Sequence, residues 1–137
     1  TALLARLLSA LEQTGADFTQ FFRTLSSAQM ADATTSVGPS TDSPALRDWI
    51  RDWKVRLGSE SESAIERSRS MLLANPKFIP RNHLVEKAIT HAEDGDFSTF
   101  ERLVRTLSQP FADQPDSEDL AQPPRPEEVV TRTFCGT

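Results

Sequence analysis

Leu3, Leu4, Leu7, Leu8 and Leu11 recur at helical spacing, so the chain opens on an apolar stripe that predicts a helix with Gly15 as its stop. Asp17 is placed to cap a second, short helix whose apolar face is Phe18, Phe21, Phe22 and Leu25. The period is then lost. Ser26 to Thr41 is rich in Ser, Thr and Ala and holds Gly38-Pro39, which predicts a loop with a helical turn near Ala28 to Ala31. Ser43 followed by Pro44 restarts the pattern, because a serine cap and a proline in the first turn both suit a helix N-terminus. Leu46, Trp49, Ile50, Trp53 and Leu57 form that helix's face, and Gly58 ends it. Ala64, Ile65, Met71 and Leu72 predict a further helix that stops before Asn75-Pro76, since a residue preceding proline disfavours helical backbone.

Pro76 and Pro80 bracket a rigid connector containing Phe78 and Ile79. Asn82 is a candidate cap for a helix carrying Leu84, Val85, Ala88, Ile89 and Ala92, ended by Gly95. Ser98-Thr99-Phe100-Glu101 fits a capping box, with Asp96 as the alternative cap. Phe97, Phe100, Leu103, Val104 and Leu107 make the face of this last helix, and Pro110 forbids its continuation. Beyond it no helical period survives. Pro115, Pro123, Pro124 and Pro126 favour extended backbone, and Val129 to Phe134 is the one candidate strand. The fold predicted is all-α: about six helices in irregular, orthogonal-type packing over residues 1–110, then an extended, proline-rich tail over 111–137.

Composition adds a question. At 137 residues the chain can bury one core, yet only 37% of it is hydrophobic. Either part of it is extended and faces solvent, or it packs against something else. It enters a helical pattern at Thr1, which reads as a piece of a longer protein. The net charge of -5 is uneven. Asp113, Asp116, Glu118, Asp119, Glu127 and Glu128 outnumber Arg125 and Arg132 in the tail, while the remainder is nearly neutral. No basic stripe exists to neutralise phosphates, which argues against nucleic-acid binding, and no apolar run approaches a membrane span. Cys135 is the only cysteine and stands two residues from the end. It fits a reducing compartment or a pairing with a cysteine outside this chain.

Candidate chemistry is sparse. His83 and His91 lie eight residues apart with no evident third ligand, a poor metal set. Trp49 and Trp53 share a face with Leu and Ile, which favours core packing over a ligand platform. Phe18, Phe21 and Phe22 read as core or as a docking face. Arg47, Arg51, Lys54 and Arg56 interleave with Asp48 and Asp52 as a solvated, salt-bridged face. Glu93, Asp94 and Asp96 lack calcium-loop spacing and read as a polar turn. The sequence contains no GxGxxG, Walker loop, GxSxG or HExxH. Pairing Cys135 with His83 or His91 as nucleophile and base would place an active site at the free end of the chain, where base and orienter are hard to hold.

Several blocks nonetheless fall in a telling order. Asn75-Pro76-Lys77-Phe78-Ile79-Pro80-Arg81-Asn82-His83 and the helix after it resemble a region near the C-terminus of the selenoprotein O family. So do Gly95-Asp96-Phe97, Gln109-Pro110-Phe111, Asp113-Gln114-Pro115, Pro123-Pro124-Arg125-Pro126 and Thr133-Phe134-Cys135-Gly136-Thr137. Asp17 to Arg23 is similar to another block of that family. The resemblance implies a parent protein with a kinase-like part that transfers AMP from ATP, with Mg²⁺ or Mn²⁺, onto Ser, Thr or Tyr of protein substrates. The nucleotide and metal ligands of the family lie upstream of the matched blocks, so this chain is expected to be non-catalytic by itself. It implies a redox-regulatory role for Cys135, at the family's selenocysteine or cysteine position, by a disulfide to the kinase-like part. It also implies a bacterial-type cytoplasmic setting, or a mitochondrial one in a eukaryote. The competing expectation is a stand-alone helical domain that binds a protein partner through an exposed aromatic face.

Overall fold

A computed structural model describes residues 2–27 and 43–132. They form six α-helices: α1 Ala2–Thr14, α2 Phe18–Ser27, α3 Pro44–Leu57, α4 Ala64–Ala74, α5 Asn82–Glu93 and α6 Ser98–Leu107. Two 3-10 turns follow, at Pro115–Ala121 and Pro126–Glu128, and no strand occurs among the described residues. The fold is all-α, as its apolar periods predict. The loop turn expected near Ala28 to Ala31 lies outside the described residues, as do Phe134 and Cys135. No described helix is long and apolar enough to cross a membrane. The chain divides into two compact units, Thr1–Asn75 and Pro76–Thr137.

In the first unit α1 packs on α3 and α2 on α4. The predicted stripes supply most of the core, Leu7, Leu11, Phe21, Leu25, Leu46, Trp49 and Ile50, joined by Ala10, whereas Leu4, Leu8 and Phe18 of the same stripes are about half exposed. Trp49 stacks on Trp53 with ring centroids 5.7 Å apart and meets Phe21 edge-on at 6.1 Å, so Trp49 is a core residue and half-buried Trp53 packs against that core. The Trp49 indole N–H donates to the Leu3 carbonyl at 2.8 Å, which satisfies its one polar atom. Gly15 has φ of 62°, a left-handed conformation that other residues resist, and so serves as the α1 stop. Asp17 caps α2 by accepting from the Gln20 amide at 2.8 Å. Ser43 caps α3 by accepting from the Leu46 amide at 3.2 Å. A full capping box, Ser63 with Glu66, starts α4. The Arg23 guanidinium then donates to the carbonyls of Leu72 and Asn75, which end α4 without intrahelical partners.

The second unit is built on the α5–α6 pair. Gly95, with φ of 85°, makes the turn between them. Two predicted caps shift. Arg81 rather than Asn82 is the N-cap of α5, because Arg81, directly after Pro80, keeps extended backbone while Asn82 is already helical. Ser98 is likewise the first helical residue of α6, and no capping box forms. The alternative, Asp96, accepts from the Ser98 amide at 2.9 Å.

The largest departure concerns the segment from residue 111. Where proline content predicts extended backbone, Pro115–Ala121 coils into a 3-10 turn, kinked at non-helical Ser117, that buries Leu120 and Ala121 with Phe78, Ala88 and Leu103. The physical reason is burial. α5 and α6 together cannot enclose Phe78, and Leu120 and Ala121 complete its cover. Val129 to Arg132, the described part of the candidate strand, has no ladder partner and forms no strand.

Candidate functional site

The second unit holds the chemistry-bearing part of the described chain, and its connector positions it. Pro76 and Pro80 bracket Lys77 to Ile79, which have no helical or strand structure, with a bend at Lys77. The amides of Lys77 and Phe78 both donate to the Pro110 carbonyl, at 2.8 and 3.1 Å, so the connector is pinned to the end of α6. That pinning drives Phe78, only 1% exposed, into the centre of the core.

A polar strap then fastens residues 113–121 over the helices. Lys77 Nζ contacts Asp113 at 3.1 Å and also pairs with Glu118. Burial opposes the Lys77 charge, but the bonds to Glu118 and Asp113 outweigh it and hold the ammonium above its ordinary pKa. Arg102 grips Asp119 with two bonds, at 2.7 and 2.6 Å, and donates a third to the Asp116 carbonyl at 2.8 Å. The fork geometry holds the Asp119 carboxyl below its ordinary pKa. Beneath these ion pairs, the hydroxyls of Thr106 and Ser117 share a buried hydrogen bond of 3.1 Å. Gln114 Nε2 donates to the carbonyls of Thr106 and Gln109 near the end of α6. Buried Arg81 donates to the Ala121 carbonyl at 3.0 Å.

Two depressions flank this frame. One is a groove of about 330 Å³ between α5 and α6, with an all-apolar lining that includes Ile89, Phe97, Phe100 and Val104. The other, of about 310 Å³, gathers Ile79, Arg81, His83, Pro124 and Val129. Burial lowers the His83 pKa, with Glu128 opposing and Arg81 reinforcing the shift. Glu128 itself is held down to about 2, chiefly by its bond to the Arg125 side chain.

The two histidines have separate settings. His91 Nδ1 bonds the Thr99 hydroxyl at 2.8 Å across the α5–α6 turn, while His83 sits in the second depression. Among the described residues, no three His, Cys, Asp or Glu side chains gather as a metal set. The Asp94 to Asp96 stretch is a polar turn, with the Asp96 amide donating to the His91 carbonyl at 2.9 Å. The charged face of α3 is salt-bridged, through Arg51–Asp48 at 2.9 Å and Arg6–Asp52 at 2.8 Å. Cys135 lies outside the described residues. Sequence reasoning missed Phe78 as a core centre and the strap built on Lys77 and Arg102. The opposite charges were visible, but nothing in their spacing of 36, 41 and 17 residues paired them. The Ser63–Glu66 capping box was missed although its S-x-x-E signature is plain.

Comparison with known proteins gives this geometry a family setting. The family model for protein adenylyltransferase SelO matches residues 1–108. A protein nucleotidyltransferase YdiU from Nitrobacter winogradskyi is 48% identical over 98% of this chain, which covers 27% of that relative. One from Rhizobium meliloti is 46% identical over 98% of the chain and 28% of the relative. One from Ruegeria pomeroyi is 44% identical over 99% of the chain and 27% of the relative. The chain therefore spans just over a quarter of the length of the curated relatives it matches.

Proposed function

Because this chain belongs to the SelO family of protein adenylyltransferases, we propose that it is a non-catalytic, C-terminal helical part of an enzyme that transfers AMP from ATP to Ser, Thr or Tyr of proteins. The observation that carries this reading is the match over residues 1–108 together with coverage of only 27–28% of full relatives. The likeness of its sequence blocks to a region near the C-terminus of the family supports the C-terminal placement. ATP and Mg²⁺ or Mn²⁺ belong, in this reading, to a kinase-like part elsewhere in the protein. The conspicuous polar side chains described above (Arg23, Arg81, Arg102, Thr106 and Ser117) are spent on holding backbone and helices together, which suits a supporting role. Cys135 is the regulatory residue of the proposal: exchange with a small-molecule disulfide would join its sulfur to that of a thiol in the kinase-like part, releasing the small molecule as two thiols, and excess small-molecule thiol would reverse the exchange. The setting proposed is a bacterial cytoplasm.

The test is AMP labelling by the full-length protein. Labelled ATP with Mg²⁺ or Mn²⁺ should mark protein substrates, and this chain alone should transfer nothing. Oxidising and reducing conditions should change the full-length rate, and Cys135→Ser should abolish that difference. An unchanged redox response in Cys135→Ser removes the regulatory role, and AMP transfer by the chain alone removes the non-catalytic one. The half-exposed Phe97 and Phe100 on the α5–α6 groove favour a second reading, a stand-alone interaction domain. Tight binding to an unrelated protein by a chain with no affinity for the kinase-like part would support it.

A further inference from the structure

We infer that the groove between α5 and α6 seats a segment of the same polypeptide, outside these 137 residues, that presents one or two large apolar side chains beside a basic residue. The inference rests on the reading that the chain is part of a longer adenylyltransferase. Ile89, Phe97, Phe100 and Val104 are 43%, 55%, 53% and 52% exposed. All four line one groove, and a contiguous apolar patch of this kind marks a binding surface. The groove is also built firmly. The His91–Thr99 bond and Gly95 fix the turn at one end, and the strap on Arg102 and Thr106 braces α6 from behind.

Size and charge identify the occupant. A cavity of about 330 Å³ accepts one or two side chains. A free partner held stably needs roughly 800 Å² on each side, far more than this patch offers. A tethered segment does not, because its linkage supplies an effective concentration on the order of millimolar. The relatives supply the tether: nearly three quarters of each lies beyond the region this chain matches. Among the charged residues next in sequence to groove residues, Glu86, Glu93, Asp96 and Glu101 outnumber Lys87, Arg102 and Arg105, and Arg102 is already paired with Asp119. That acidic excess favours a basic residue beside the inserted apolar side chains.

The test uses the full-length protein, with its other cysteines replaced, carrying Val104→Cys. The thiol's alkylation by a small maleimide is compared in native and urea-unfolded protein. Protection of about tenfold or more, independent of protein concentration, is expected. Adding Phe100→Glu should remove that protection while circular dichroism shows the helices intact. If that double variant does not fold, Glu86→Lys with Glu93→Lys should weaken protection through charge alone. Free alkylation of native, monomeric Val104→Cys overturns the inference. So does protection lost on dilution, which would mean a second copy, or protection that requires an added protein. AMP transfer is measured on the same samples, so inactivity with Val104→Cys protected counts against the enzymatic reading and not against the groove.

Discussion

The two units reach the same end, a buried apolar core, by different routes. In the first, every core residue comes from the periodic face of a helix: Leu7 from α1, Phe21 and Leu25 from α2, Leu46 and Trp49 from α3. In the second, α5 and α6 contribute Ala88 and Leu103, while Phe78 comes from a connector and Leu120 and Ala121 from a 3-10 turn. The first core is closed by helices meeting helices. The second is closed by a strap of irregular chain, which must be fastened by polar bonds because its own backbone offers little regular structure. Helix pairs can be built from periodicity alone, whereas a two-helix unit needs a third element to cover its core.

The sharpest way to break the comparison is to remove the residue that the strap exists to cover. Phe78→Ala should cost about 3–5 kcal/mol, as much as a large residue lost from a helical core. Amide exchange should accelerate in α5, α6 and the 115–121 turn, while α1 and α3 stay protected. Accelerated exchange confined to residues 76–80 would show that the strap does not depend on Phe78.

The next effect concerns the buried Thr106–Ser117 hydroxyl pair. Thr106→Val or Ser117→Ala alone leaves one buried hydroxyl unsatisfied and should cost about 1–3 kcal/mol. The double variant should cost clearly less than the sum of the singles. Additive costs in denaturant titrations would mean that the two hydroxyls are not partners.

The smallest effect is the pH dependence of the strap. Asp119 is held below its ordinary pKa by its bond to Arg102, so its stabilisation is fully present above the unfolded carboxylate value and is lost as pH falls through the folded one. Both side chains are partly exposed, at 37% for Arg102 and 64% for Asp119, so the contribution is about 0.2–1 kcal/mol. Exchange of the Leu120 and Ala121 amides should quicken below about pH 4, and Asp119→Asn should flatten that response. A response unaltered in Asp119→Asn would show that the Arg102–Asp119 pair does not set it.

How much was legible follows the same division. Leu46, Trp49, Phe21 and Leu25 were readable as core because each repeats with neighbours three or four positions away. The caps Asp17 and Ser43 were readable because a cap acts within three residues. Phe78 reads only as part of a connector, since it has no periodic neighbours between Pro76 and Pro80. Of the candidate site, the apolar positions Phe97, Phe100 and Val104 were plain. That they remain half-exposed was not, because periodicity marks a face and does not say whether anything covers it.

The sequence by itself determined the all-α class, the places of six helices and, through ordered local blocks, the family. These are properties of short stretches, set by repeat, cap and breaker residues acting on their neighbours. The tertiary structure alone decided that an acidic, proline-rich stretch folds back over α5 and α6. It alone decided that Lys77 and Arg102 hold that stretch there, and that an apolar groove stays open on the other side. Those outcomes depend on which distant groups meet, and side-chain attraction carries no record in the sequence of the partner it will find.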